Sequence, residues 1–181
     1  MLTLRKAVAG ELFREAKGPI WTGRVFSISR NQECVPCLID GKRFIVEFNI
    51  PYFLTQAAFY EDILIPRKGD GVFIPRLEHR FINVFHVEGK GEIQNLCKLG
   101  SDVLPRNPSD LIKCMQAAVI TFYRSAPHAN QFFFRYDPKT RDLLRSMIFE
   151  LSPEIQSKYT LERYDDLREP FLGFSIVSNA L

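Results

Sequence analysis

Asn107-Pro108-Ser109-Asp110-Leu111-Ile112-Lys113-Cys114-Met115-Gln116-Ala117-Ala118-Val119-Ile120-Thr121-Phe122, then Gln131-Phe132-Phe133-Phe134-Arg135-Tyr136 and Asp137-Pro138, is the stretch from which the fold class is read. Asn107 is a capping residue followed by proline at the first helical position, where the missing N–H costs nothing. Leu111, Ile112, Met115, Ala118, Val119 and Phe122 then recur at helical spacing on one face. The run Gln131 to Tyr136 is apolar on both sides of a period-two pattern, which predicts a strand central in its sheet. Asp137-Pro138 repeats the capping signature, and Leu143, Leu144, Met147, Ile148 and Leu151 give a second amphipathic helix. Ser152-Pro153 opens a third helix, and Phe171 to Val177 is another strand. The second half therefore reads α-β-α-(α)-β.

The first half has a different period. Val25–Ser29, Val35–Ile39 and Arg43–Asn49 read as strands, the last two joined by Asp40-Gly41, a strong two-residue hairpin signal. Ile63–Ile65, Gly71–Pro75 and Arg80–Val87 follow as further strands, with a helical turn or short helix expected over Pro51–Tyr60. Residues 3–17 are expected to form a helix, with Thr3 as N-cap, Leu4, Val8 and Leu12 on one face and Gly18-Pro19 as its stop. The expectation is an α+β fold: a small antiparallel curled or barrel-like sheet packed on the α-β-α-β half. The halves divide as 1–95 and 96–181, sharing one core, because Ile93, Leu96 and Leu99 make Gly89 to Pro105 too apolar for a linker.

The chain has 181 residues, 46% hydrophobic and 25% charged, with a net charge of +3. So many Phe, Tyr and Ile residues exclude a disordered chain, and +3 is too little to argue for nucleic acid by itself. No signal-peptide core and no run of 18 apolar residues is present, so a cytoplasmic protein without a membrane span is expected. Cys34-Val-Pro-Cys37 lacks the second pair that a zinc ribbon needs, since Cys97 and Cys114 are singletons. The pair is read as reduced, half-buried strand cysteines.

No phosphate-binding glycine loop, zinc-protease helix or nucleophile elbow occurs, and His79, His86 and His128 lack metal-ligand spacing. No cofactor, metal or catalytic residue is assigned. Charge, however, is segregated. Arg106 to Arg145 holds seven basic residues against three acidic ones, and Glu150 to Glu169 holds six acidic against three basic. On the helix after Asp137, Arg141, Arg145 and Phe149 form an i, i+4, i+8 stripe opposite the core face. Together with Arg124, Arg135 and Lys139 they are the candidate partner- or phosphate-binding residues, beside a helix N-terminus suited to anions. The competing expectation is that both arginines pair with Asp142 or the acidic segment while Phe149 is covered by the β-rich half. The functional expectation is a non-catalytic interaction protein, with a protein partner ranked above nucleic acid. The alternative is an enzyme acting on a phosphate-bearing substrate, a nuclease or a nucleotidyl- or ADP-ribosyl-transferring protein. Its residues would be Arg124, His128, Arg135, Tyr136 and Lys139 around one strand end.

Overall fold

Asp40 and Gly41 both take positive φ, 49° and 76°, the turn geometry that matches the twist of a tight hairpin. This hairpin joins β4 (Gln32–Ile39) to β5 (Lys42–Asn49), from which the rest of the sheet grows. The computed structural model describes residues 2–29, 32–50, 65–69, 72–73, 76, 78–99 and 104–179. Preceding the hairpin are β1 (Leu2–Arg5), α1 (Lys6–Leu12), β2 (Ile20–Thr22) and β3 (Phe26–Ser29). After it come β6 (Ile65–Pro66), β7 (Val72–Phe73), β8 (His79–Glu88), β9 (Ile93–Lys98) and α2 (Pro108–Ser125). Then follow β10 (Gln131–Arg135), a 3-10 turn at Pro138–Thr140, α3 (Arg141–Phe149), α4 (Pro153–Lys158), β11 (Tyr159–Arg163) and β12 (Phe171–Ser178). The expected turn over Pro51–Tyr60 lies outside the described residues.

The fold is α+β. Among the described residues, ten strands form one curled mixed sheet in the order β11-β12-β10-β8-β5-β4-β2, with β3 on β4 and β1 on β9, which itself pairs with β8. Among the described residues, every ladder is antiparallel except β8–β10, where His79 to Ile82 run alongside Gln131 to Phe134. β10 is central, as its sequence requires: β8 flanks it on one side and β12 on the other. α2 lies across β4 and β2 and against α3. Between helix and sheet sits the larger core, in which Phe48 stacks on Phe122 with centroids 4.2 Å apart and Phe132 stacks on Phe174. The opposite face carries two smaller clusters, one of Leu4, Ala9, Leu12, Cys34, Ile45 and Val87, the other of Phe81, Phe133, Leu167 and Phe171.

Two expectations are corrected. The N-terminal helix is shorter than 3–17: Leu2–Arg5 is strand, Arg5 is the N-cap, and Lys6–Leu12 is helix. The reason is tertiary, since β9 offers an edge on which Leu4 pairs with Gln94. The later start turns Ala9 and Leu12 inward and leaves Val8 42% exposed. Between the two halves the chain forms a strand, β9, which pairs with β1 and β8. The Asp137-Pro138 signature opens a 3-10 turn, so α3 begins only at Arg141. β11 has no counterpart among the expected strands.

Candidate functional site

β10 leaves the sheet at Arg135, and the chain turns at once. Tyr136 donates its N–H to the Pro170 carbonyl at 3.0 Å, which fastens the exit of β10 to the start of β12. Asp137 accepts from the N–H of Lys139 at 2.9 Å, and buried Thr140 donates both its N–H and its hydroxyl to the Asp137 carbonyl. At this turn the N–H of Lys139 is thus taken by the Asp137 carboxylate and that of Thr140 by the Asp137 carbonyl. Leu144, Met147 and Ile148 bury the inner face of α3. Gln116 of α2 donates to the carbonyls of Met147 and Glu150 at 3.0 and 3.1 Å and caps its C-terminal end.

Arg141 and Arg145, one turn apart, are both half-buried rather than fully solvated. Arg141 forms an ion pair with Glu169, and the two side chains remain 41% and 62% exposed. Tyr136 lies buried beneath this pair with its hydroxyl against Glu169. Burial first, and the Glu169 carboxylate second, raise the Tyr136 phenol above its usual range, while Arg141 and Arg145 act in the opposite sense. The phenol is thus a neutral donor at physiological pH, and Glu169 accepts from it. Pairing with the acidic segment is the competing expectation stated for Arg141. The partner is Glu169, in the loop before β12, a residue that sequence reading counted only as part of an acidic stretch. The side chain of Phe149 lies outside the described residues.

The six candidates do not all meet. Arg135, Lys139, Arg141 and Arg145 lie at or beyond the C-terminal end of β10, Arg135 on the strand face of Phe133 and the two arginines on α3, which packs on the other face; Arg135 and Lys139 are exposed. Arg124 sits in the last turn of α2, before β10 begins, with Nε donating to the Tyr159 hydroxyl at 2.8 Å. His128 is an exposed loop residue at that same end. The five residues of the enzymatic alternative are therefore divided between opposite ends of a five-residue strand, at a rise of about 3.3 Å per residue.

The loop that carries Glu169 is itself braced. Arg67 pairs with Asp166 at 3.3 Å, and Arg168 donates to the Gly69 carbonyl at 2.7 Å. The two cysteines of the C-x-x-C are completely buried rather than half-buried and point to opposite faces of β4, Cys34 into the smaller cluster and Cys37 into the larger. Among the described residues, no helix is long and apolar enough to cross a membrane.

Comparison with family models, curated proteins and solved structures gave no match.

Proposed function

We propose that this protein is a non-catalytic binding module that docks an acidic protein partner on the corner formed by Lys139, Arg141 and Arg145. The observation that carries this reading is the Arg141–Glu169 pair: the corner already holds a carboxylate, over a buried tyrosine, on a frame fixed by α3 and β12. An exposed ion pair contributes about 0–1 kcal/mol. A partner's carboxylate therefore displaces Glu169 at little cost, and Glu169 acts as an internal competitor that limits non-specific binding. A protein partner fits better than nucleic acid because the net charge is only +3.

The test is a binding isotherm with a fluorescent glutamate-rich peptide and, in parallel, a short DNA duplex. The peptide is expected to bind, the double change Arg141→Glu with Arg145→Glu to abolish binding at nearly unchanged melting temperature, and Glu169→Gln to tighten it. Tighter binding of the duplex, falling by about 0.9 log units per log unit of salt for each phosphate contact, would assign the corner to nucleic acid instead. Binding that ignores all three changes would place the interface elsewhere.

A further inference from the structure

The β5–β8 ladder stops at Phe44 and His86, and beyond that pair the two strands part. A cleft of about 570 Å³ opens there, between the Asp40-Gly41 turn and Gly89 at the turn between β8 and β9, within the range that small-molecule sites occupy. Lys42, Arg43 and Lys90 bring three cations to it, against the single carboxylate of Glu88. That carboxylate is held 3.2 Å from His86 Nδ1. The cleft is braced at both lips: Arg43 donates to the Gly89 carbonyl at 3.1 Å and Lys42 to the Leu104 carbonyl at 3.0 Å.

Gln94 of β9 also lines this cleft and is only 4% exposed. Among the described residues, no donor reaches its Oε1. A buried amide oxygen left without a donor is costly, and an apolar side chain would serve stability better in a strand whose neighbour Leu96 packs on the smaller cluster. Such a local conflict between stability and residue choice is what a binding site produces.

We propose that this cleft binds a small phosphate monoester that also carries hydroxyl groups. The phosphate sits among Lys42, Arg43 and Lys90, and one hydroxyl donates to Gln94 Oε1. Phosphate is favoured over carboxylate because three cations balance a charge of about −1.5 to −2 better than −1. The hydroxyl follows from the orphaned acceptor, which rejects a ligand that brings no donor.

Ribose 5-phosphate, inorganic phosphate and gluconate are the probes, titrated into the whole protein with amide resonances as the readout. Ribose 5-phosphate is expected to shift Gly41, Gly89 and the Gln94 side-chain amide saturably, and to bind about tenfold tighter than inorganic phosphate. Gln94→Leu should bring ribose 5-phosphate down to the level of inorganic phosphate and leave the ligand-free melting temperature unchanged or raised. Lys90→Glu, at an exposed turn position, should weaken both phosphates. The proposal is overturned by the absence of saturable shifts at millimolar concentrations, by equal affinity for the two phosphates, or by gluconate binding as tightly as ribose 5-phosphate. Should Gln94→Leu fail to fold, Lys90→Glu and the wild-type comparison of the three probes decide.

Discussion

His79 donates from Nε2 to Oε1 of Gln131 at 2.5 Å, directly across the parallel β8–β10 ladder. The Nδ1 of the same ring accepts the N–H of Arg76. Both nitrogens are thus committed, one as donor and one as acceptor, which fixes the ring in its neutral form. Burial is the main cause that lowers its pKa below 6.5. In the unfolded chain the ring binds a proton near 6.5, and in the folded protein only at lower pH. Between those values the unfolded state holds more protons, so stability falls as the pH drops. The full contribution is present above about pH 6.5 and is lost towards the lower folded pKa. Urea midpoints measured from pH 8 to 5 should decline below 6.5, and His79→Gln should flatten that decline.

Gly173 faces Phe133 in the β10–β12 register, and across it Tyr164 stacks on Phe133 with ring centroids 5.5 Å apart. A Cβ at this position would meet Phe133 Cδ1 at 2.7 Å and Tyr164 Cδ2 at 2.8 Å. Phe133 has no room to retreat, because it is fully buried, whereas Tyr164 is only partly buried. Gly173→Ala should therefore destabilise the fold by about 1–3 kcal/mol, the usual cost of overpacking. Chemical denaturation of the two proteins measures it directly.

Phe122 and Phe132 tie α2 to the sheet through contacts with Phe48, the three rings forming a stacked and edge-on set. Truncation of either should cost about 3–5 kcal/mol, which is comparable to the whole stability of many domains of this size. Phe132→Ala is expected to yield a protein with a grossly lowered melting temperature or none that folds at all. A loss under 1 kcal/mol would mean that this cluster is not the centre of the core.

The cysteines should differ in reactivity. Burial, with the nearby Glu47 carboxylate second, pushes the Cys34 thiol up to about 12. The Cys37 thiol is raised by its hydrogen bond with Cys114 and by burial. A thiol reagent at pH 8 should label half-buried Cys97 first, and Cys34 and Cys37 only at the rate of unfolding, because the thiolate is the reacting species; the hydrogen bond with Cys37 lowers the Cys114 thiol, which burial alone protects. Mass spectrometry of digests taken over time distinguishes these phases. Early labelling of Cys34 would contradict its place in the smaller cluster.

Elements whose signals are local were legible in the sequence. Asn107-Pro108 and the apolar face from Leu111 to Phe122 give α2 over Pro108–Ser125, and Asp40-Gly41 gives the hairpin. The triple phenylalanine gives a central strand. Elements created by pairing were not legible: Leu2–Arg5 is extended only because β9 lies beside it. β11, with the sequence Tyr-Thr-Leu-Glu-Arg, is a strand because β12 presents an edge. Within the corner, the basic residues announced themselves by charge. Their partner Glu169 did not, because its approach to Arg141 depends on how the loop before β12 is braced against Arg67 and Gly69.

The parallel step between β8 and β10 also bears on how the chain is made. The antiparallel hairpins of the first half close between near neighbours, whereas His79 and Gln131 lie about fifty residues apart, a costly loop to close. On the ribosome, β8 emerges well before its partner and waits with the His79–Ile82 side of its backbone unpaired, next to Phe81 and Ile82. An open strand edge flanked by large apolar side chains is a template for association with other chains. A polypeptide interrupted before Gln131 should therefore aggregate, so the first 130 residues contain a recognisable sheet yet depend on the next five to keep it from self-association.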